Sequence, residues 1–147
     1  MSAKKIITKK IKGRLLSLLL ISGSFYYFVG AIAHFFCITI FPWYDGSLCS
    51  PYHDSLIAVA AIAVSGFFYV TALDPKKMVM NLWVIIVVSV VVAWLTFLHA
   101  VTFDFVALYG SDLKVFQAFN EAVALLIVAV LILYLKPKTV KKKDLDK

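Results

Sequence analysis

Four long runs of apolar residues, separated by short polar breaks, dominate this chain. Each approaches or exceeds the roughly 20 residues that a helix needs to cross a bilayer. The first runs from about Leu15 to Phe41, where Pro42 stops it. That is roughly 27 residues, or about 40 Å of helix, so it tilts or protrudes. The second begins at Ser50-Pro51, with serine as cap and proline at the first helical position, where its missing N–H does no harm. Asp54 then falls in the first turn, favourable against the helix dipole, and the run ends near Leu73. The third repeats the device at Asp74-Pro75 and continues to about Tyr109, with an irregular turn near Thr102. Gly110 and Ser111 are the next stop and cap signals. The fourth runs from Asp112 to about Leu135, and Pro137 ends it. The pattern predicts an all-α, integral membrane four-helix bundle in one domain over 1–147, with helices at about 15–41, 51–73, 75–109 and 112–135.

Small residues mark the expected packing faces, since close helix approach in lipid needs them. They are Gly23, Gly30 and Cys37 on helix 1, Ala58, Ala61 and Ser65 on helix 2, and Ser89, Ala93, Thr96 and Ala100 on helix 3. Composition agrees with a lipid environment. The chain is 63% hydrophobic with a mean hydropathy of +0.94, against about 45–50% apolar for ordinary soluble domains.

Charge adds direction. Lys4, Lys5, Lys9, Lys10, Lys12 and Arg14 precede the first run, and Lys136, Lys138, Lys141, Lys142, Lys143 and Lys147 follow the last. Lys76 and Lys77 occupy the break between the second and third, and Lys114 alone falls on the opposite side. The positive-inside rule puts the basic side, with both termini, in the cytoplasm. Short connections make the bundle up-down-up-down. Each basic run abuts an apolar segment, so its expected partner is the anionic headgroups of the bilayer, not nucleic acid.

The N-terminal basic region, the apolar LLSLLLIS and the small-x-small site Ala31-Ile32-Ala33 have the parts of a secretory signal. The apolar stretch runs on past that site, which favours a retained helix. Cys37 and Cys49 form no metal-ligand or redox motif. A disulfide between them is compatible with their outer position. The reading favoured is two free thiols, one packed in a helix.

Candidate chemistry lies in the ionisable residues within the spans, which mark function or a satisfied polar core. His34, His99 and Glu121 come to nearly one depth, about 12, 16 and 15 Å below the outer helix ends. Gln117, Asn120, Glu121 and Ala124 share a face of helix 4, and Thr96 shares one with His99. With Asp104 these make a candidate ligand or proton site, and His34, His99 and Glu121 a candidate metal set. A haem between His34 and His99 is the remaining cofactor reading. Asp45, His53 and Asp54 form an outer rim, with Asp54 read as a dipole partner and His53 as interfacial. Trp43, Tyr44 and Tyr52 are read as belt anchors. No residue is assigned as catalytic. The motifs of disulfide generation, phosphate binding, zinc proteolysis and serine hydrolysis are all missing from the sequence.

The stretch Gly66-Phe67-Phe68-Tyr69-Val70-Thr71-Ala72-Leu73-Asp74-Pro75-Lys76-Lys77 is an apolar helix, a basic Asp-Pro turn and the start of another apolar helix. It resembles the central hairpin of small four-helix membrane proteins of the DoxX-like and BphX-like type. The resemblance covers about half the chain and implies a bacterial inner-membrane location, with no catalytic residue to carry over. The expected function is a non-enzymatic accessory or self-associating bundle with an outward-facing polar site. A small proton- or cation-coupled transporter or channel using Glu121 stands next. A metal- or haem-binding redox subunit using His34 and His99 stands third.

Overall fold

Among the described residues the apolar runs form four α-helices and no strand. In this computed structural model residues 3–40, 44–104, 107 and 113–137 are described, with side chains at all of these except 3–9, 48, 113 and 114. The helices are α1 (Ala3–Phe36), α2 (Pro51–Leu73), α3 (Val79–Thr102) and α4 (Leu113–Leu135). Each holds a stretch long and apolar enough to cross a membrane: Lys10–Phe36, Pro51–Leu73, Val79–Thr102 and Val115–Leu135. Pro42, Trp43, Tyr109 to Asp112, Lys114 and the basic C-terminal residues from Lys138 onward lie outside the described residues or side chains.

Four helix ends differ from the sequence expectation. α1 begins at Ala3, so the basic N-terminal segment is helical; it is Lys- and Ile-rich and has no proline to break it. At 34 residues α1 is about 51 Å long. It ends at Phe36 and not Phe41, because Cys37 takes a left-handed backbone with φ of 52°. The Cys37 amide donates to the His34 carbonyl at 3.4 Å and the Ile38 amide to the Ala33 carbonyl at 2.9 Å, a Schellman ending with cysteine where glycine is usual. α3 begins at Val79 and not Pro75. The Asp74 carbonyl collects the amides of Lys77 and Met78, each at 3.1 Å, which closes a turn before the helix starts. α3 also ends at Thr102. Phe103 is extended, and the Asp104 carboxylate accepts the Ala107 amide at 2.9 Å, the bond of a cap and not of a helix interior.

Packing follows the small residues. α1 packs mainly on α2 and α3 on α4, with α1 also touching α4. One core joins all four helices near the 74–78 turn: Leu16, Leu20, Phe68, Ala72, Leu82, Ile85, Ile86, Ala129 and Ile132. Lys12 Nζ lies 3.7 Å from the Tyr134 ring centroid, and Lys136 Nζ 3.2 Å from that of Trp83. These cation–π contacts gather the start of α1, the end of α4 and the start of α3 at that same end. Asn81 donates to Thr71 Oγ1 at 3.2 Å, tying α3 to α2.

Further from the turn, burial is within the pairs. Ala31, Ala33 and Ala58 are buried in the first pair, Ala93, Ala100 and Ala122 in the second. The Ser65 hydroxyl donates to the Ser24 carbonyl at 2.8 Å, and the two hydroxyls lie 3.1 Å apart. Gly23 has no side chain because Phe68 occupies its place; a Cβ there would sit 2.7 Å from the ring. Ser89, Ala93 and Ala100 are buried as the small-residue stripe of α3 requires, while Gly30 faces open space. Large apolar side chains such as Phe25, Phe35, Val59, Trp94 and Val130 are exposed around the bundle. Water does not favour so much exposed apolar surface, and lipid does.

Candidate functional site

The polar cluster of this protein is built where α1 ends and α2 begins. His34 lies in the last turn of α1, because that helix stops at Phe36, and so it sits at the mouth of the span and not about 12 Å inside it. Asp54 lies in the first turn of α2 and is buried. His34 Nδ1 and Asp54 Oδ1 are 2.5 Å apart. The Tyr44 hydroxyl donates to the same oxygen at 2.8 Å, and the Ser50 amide donates to Oδ2 at 2.7 Å. Asp54 is therefore more than the dipole partner expected of it: it joins two helices and the loop between them. The Tyr44 ring also packs on the imidazole, with centroids 4.1 Å apart.

The carboxylate determines the imidazole's protons. An ionised carboxylate only accepts, so His34 carries its proton on Nδ1, and in the neutral ring Nε2 keeps the lone pair. The His34 side chain is 24% exposed against 10% for Asp54. The pair is thus a sheltered carboxylate behind a partly open imidazole. The Tyr44 phenol is pushed up to about 12, first by burial, then by its bond to Asp54 and the negative charges of Asp54 and Asp45.

The loop is braced to hold this arrangement. Cys37 and Cys49 form a disulfide with Cα atoms 5.6 Å apart, so the expectation of two free thiols is corrected. The left-handed turn at Cys37 lets the chain double back: Ile40 and Tyr44 exchange backbone hydrogen bonds of 2.9 Å in both directions. Asp45 accepts from the Ser47 amide at 3.0 Å and the Ser47 hydroxyl at 2.7 Å, starting a short 3-10 helix, Gly46–Leu48. The Gly46 amide donates to Thr39 Oγ1 at 3.0 Å, and its backbone presses against the Cys37 carbonyl, where any Cβ would collide. Ser50 occupies the cap position of α2, but its hydroxyl lies 2.9 Å from His53 Nδ1 and caps no amide.

The remaining candidate residues are distributed elsewhere. His99 is exposed on α3, its ring 5.1 Å from that of Phe103. Asn120 and Glu121 are exposed on α4 and Gln117 is half-buried there; Glu121 lies within electrostatic reach of Tyr26 and Tyr27 on α1. Among the described residues, His34 makes no hydrogen bond, ion pair or ring contact with His99 or Glu121. No group of three or more His, Cys, Asp and Glu residues with the geometry to hold a metal occurs among them. Asp104 serves as a cap for Ala107, and Asp45 as the cap of the 3-10 helix. His53, exposed in the first turn of α2, packs its ring against Tyr52 at 5.4 Å. Sequence reasoning had named His34, Tyr44 and Asp54 separately and did not join them.

The helices define a protein built to cross a membrane several times, by length and composition. No family model matches the chain, and comparison with curated proteins and with solved structures returned no match.

Proposed function

We propose that this chain is a small, non-enzymatic accessory or self-associating protein of a bacterial inner membrane, crossing four times with both termini in the cytoplasm. Its outer end presents His34 as the contact for a proton or a donor-bearing small ligand. The observation that carries the reading is the Asp54–His34–Tyr44 arrangement, in which a sheltered carboxylate fixes Nδ1–H and leaves Nε2 as a basic nitrogen. Orientation draws on two unlike signals. The basic residues favour the cytoplasm for one end, and the disulfide at the other end belongs in an oxidising compartment. The resemblance to DoxX-like proteins is in keeping with this location. The basic tails then meet anionic headgroups on the inner leaflet.

Carbethoxylation tests the site, because diethylpyrocarbonate attacks an imidazole lone pair. In the folded protein in nanodiscs, His34 and the exposed His53 are both modified, and mass spectrometry finds the label on each. If His53 reacts while His34 resists up to denaturation, Nε2 does not meet water and the outward site is lost. Transport through Glu121 would instead show as pH-dependent flux in proteoliposomes that Glu121→Gln abolishes.

A further inference from the structure

α4 carries one amide, Asn120, on a surface that faces away from the rest of the molecule, with the half-buried Gln117 beside it. Its buried residues are Ala122, Ala129 and Ile132. At about 100° per residue, Asn120 and Ala124 fall on the opposite side from Ala122, and Gln117 lies next to Ala124, further round toward Glu121. Asn120, Glu121 and Ala124 are exposed, inside the span Val115–Leu135. Asn120 is five residues beyond Val115, about 8 Å into the span. In lipid such an amide has no water to bond, and the membrane penalises it unless another polar group meets it. The exposed surface of the first helix pair differs, being built from residues such as Phe25, Phe28, Val59 and Ile62.

We propose that this face of α4 is the contact surface for a second copy of the chain, with Asn120 of each copy bonding the amide stripe of the other. The stripe is self-complementary, as a two-fold contact requires. Gln117 and Asn120 each carry two donors and an acceptor, and the Glu121 carboxyl group flanks them. Ala124, on the same line, lets the two backbones approach. The inference deepens the reading of the chain as self-associating, and its test reads assembly without involving His34.

Subunit counting by photobleaching in liposomes over a range of protein-to-lipid ratios measures the association. The full chain dimerises, and Asn120→Leu weakens dimerisation by about 3- to 30-fold, the range expected from interhelical hydrogen bonds in membranes. Ala124→Cys, oxidised with copper phenanthroline, yields a covalent dimer, whereas Val59→Cys on the exposed side of α2 does not. The Ala124→Cys result stands even if Asn120→Leu folds poorly. A wild-type protein that stays monomeric throughout overturns the proposal. So does a dimer indifferent to Asn120→Leu that cross-links through Val59→Cys, or cross-linking of Ala124→Cys in native membranes to a different protein alone.

Discussion

Removing the Asp54 carboxylate withdraws the common acceptor of three donors from three pieces of chain. They are His34 Nδ1 of α1 at 2.5 Å, the Tyr44 hydroxyl of the loop at 2.8 Å and the Ser50 amide before α2 at 2.7 Å. Hydrogen bonds to a charged group contribute about 1.5–3 kcal/mol each, and taking one partner from a buried pair costs about 3–5 kcal/mol. Because the His34 side chain keeps 24% of its exposure, water recovers part of that loss, so Asp54→Ala is expected at the lower end, about 3 kcal/mol. Asp54→Asn is the informative companion. Its amide oxygen can still accept from His34 and Tyr44, but its NH2 then faces the Ser50 N–H, donor against donor. One bond is lost and the charge is removed from the others, for about 1.5–3 kcal/mol. Unfolding in mixed micelles by denaturing detergent, followed by circular dichroism, measures both. Proteolysis of the 37–50 loop should speed up in the same order, wild type slowest and alanine fastest. If both variants fall within about 0.5 kcal/mol of wild type, the range of ordinary surface substitutions, the carboxylate is not the junction described.

Other expectations follow from the same geometry. Gly46→Ala places a Cβ against the Cys37 carbonyl; the loop must open, lowering stability by about 1–3 kcal/mol and exposing the 37–50 segment to protease, whereas Gly30→Ala, with nothing nearby, has little effect. Ser65→Ala removes the donor to the Ser24 carbonyl and weakens α1–α2 association by about 0.6–2 kcal/mol, read from the same detergent titration. The Tyr44 phenol, pushed up to about 12, ionises later than free tyrosine at about 10. Because its folded value is raised, its contribution to stability is complete below the unfolded value and fades as pH rises from about 10 to about 12; Tyr44→Phe should flatten that alkaline limb and delete a late step from the ultraviolet titration of tyrosinate.

Much of the fold was legible from apolarity and punctuation. Pro51 and Leu73 bound α2 as read, since Ser-Pro and Asp-Pro are local signals with local causes. Helix 1 was read too long because Ile38, Ile40 and Phe41 continue the apolar run, and apolarity alone does not separate a helix from an apolar loop at its end. The departure at Cys37 depends on a partner 12 residues away, a distance that helix periodicity does not sense. The error carried into the site. Helices drawn to Phe41 and Tyr109 carry His34 and His99 well inside the span, whereas helices that end at Phe36 and Thr102 hold each histidine in the last turn. Once α1 ends at Phe36, His34 comes level with the first turn of α2, where Asp54 was already placed. The overlooked signal was the loop between them, with cysteines at both ends and Asp45-Gly46 between. On α3, the irregular turn expected near Thr102 is where the helix ends, but Phe103, Phe105 and Leu108 keep the apolar pattern going and draw the expected helix on to about Tyr109.

The proposed orientation turns the disulfide-braced loop holding His34, Tyr44 and Asp54 outward and the basic ends toward the cytoplasm. The native cysteines report it without mutation. Spheroplasts treated with a membrane-impermeant phosphine and then a maleimide-coupled polymer should show a gel shift of two polymer units, and no shift when the phosphine is omitted. Labelling without reduction would mean that Cys37 and Cys49 are free thiols; labelling only after the membrane is dissolved would put the loop inside, and either result contradicts the account.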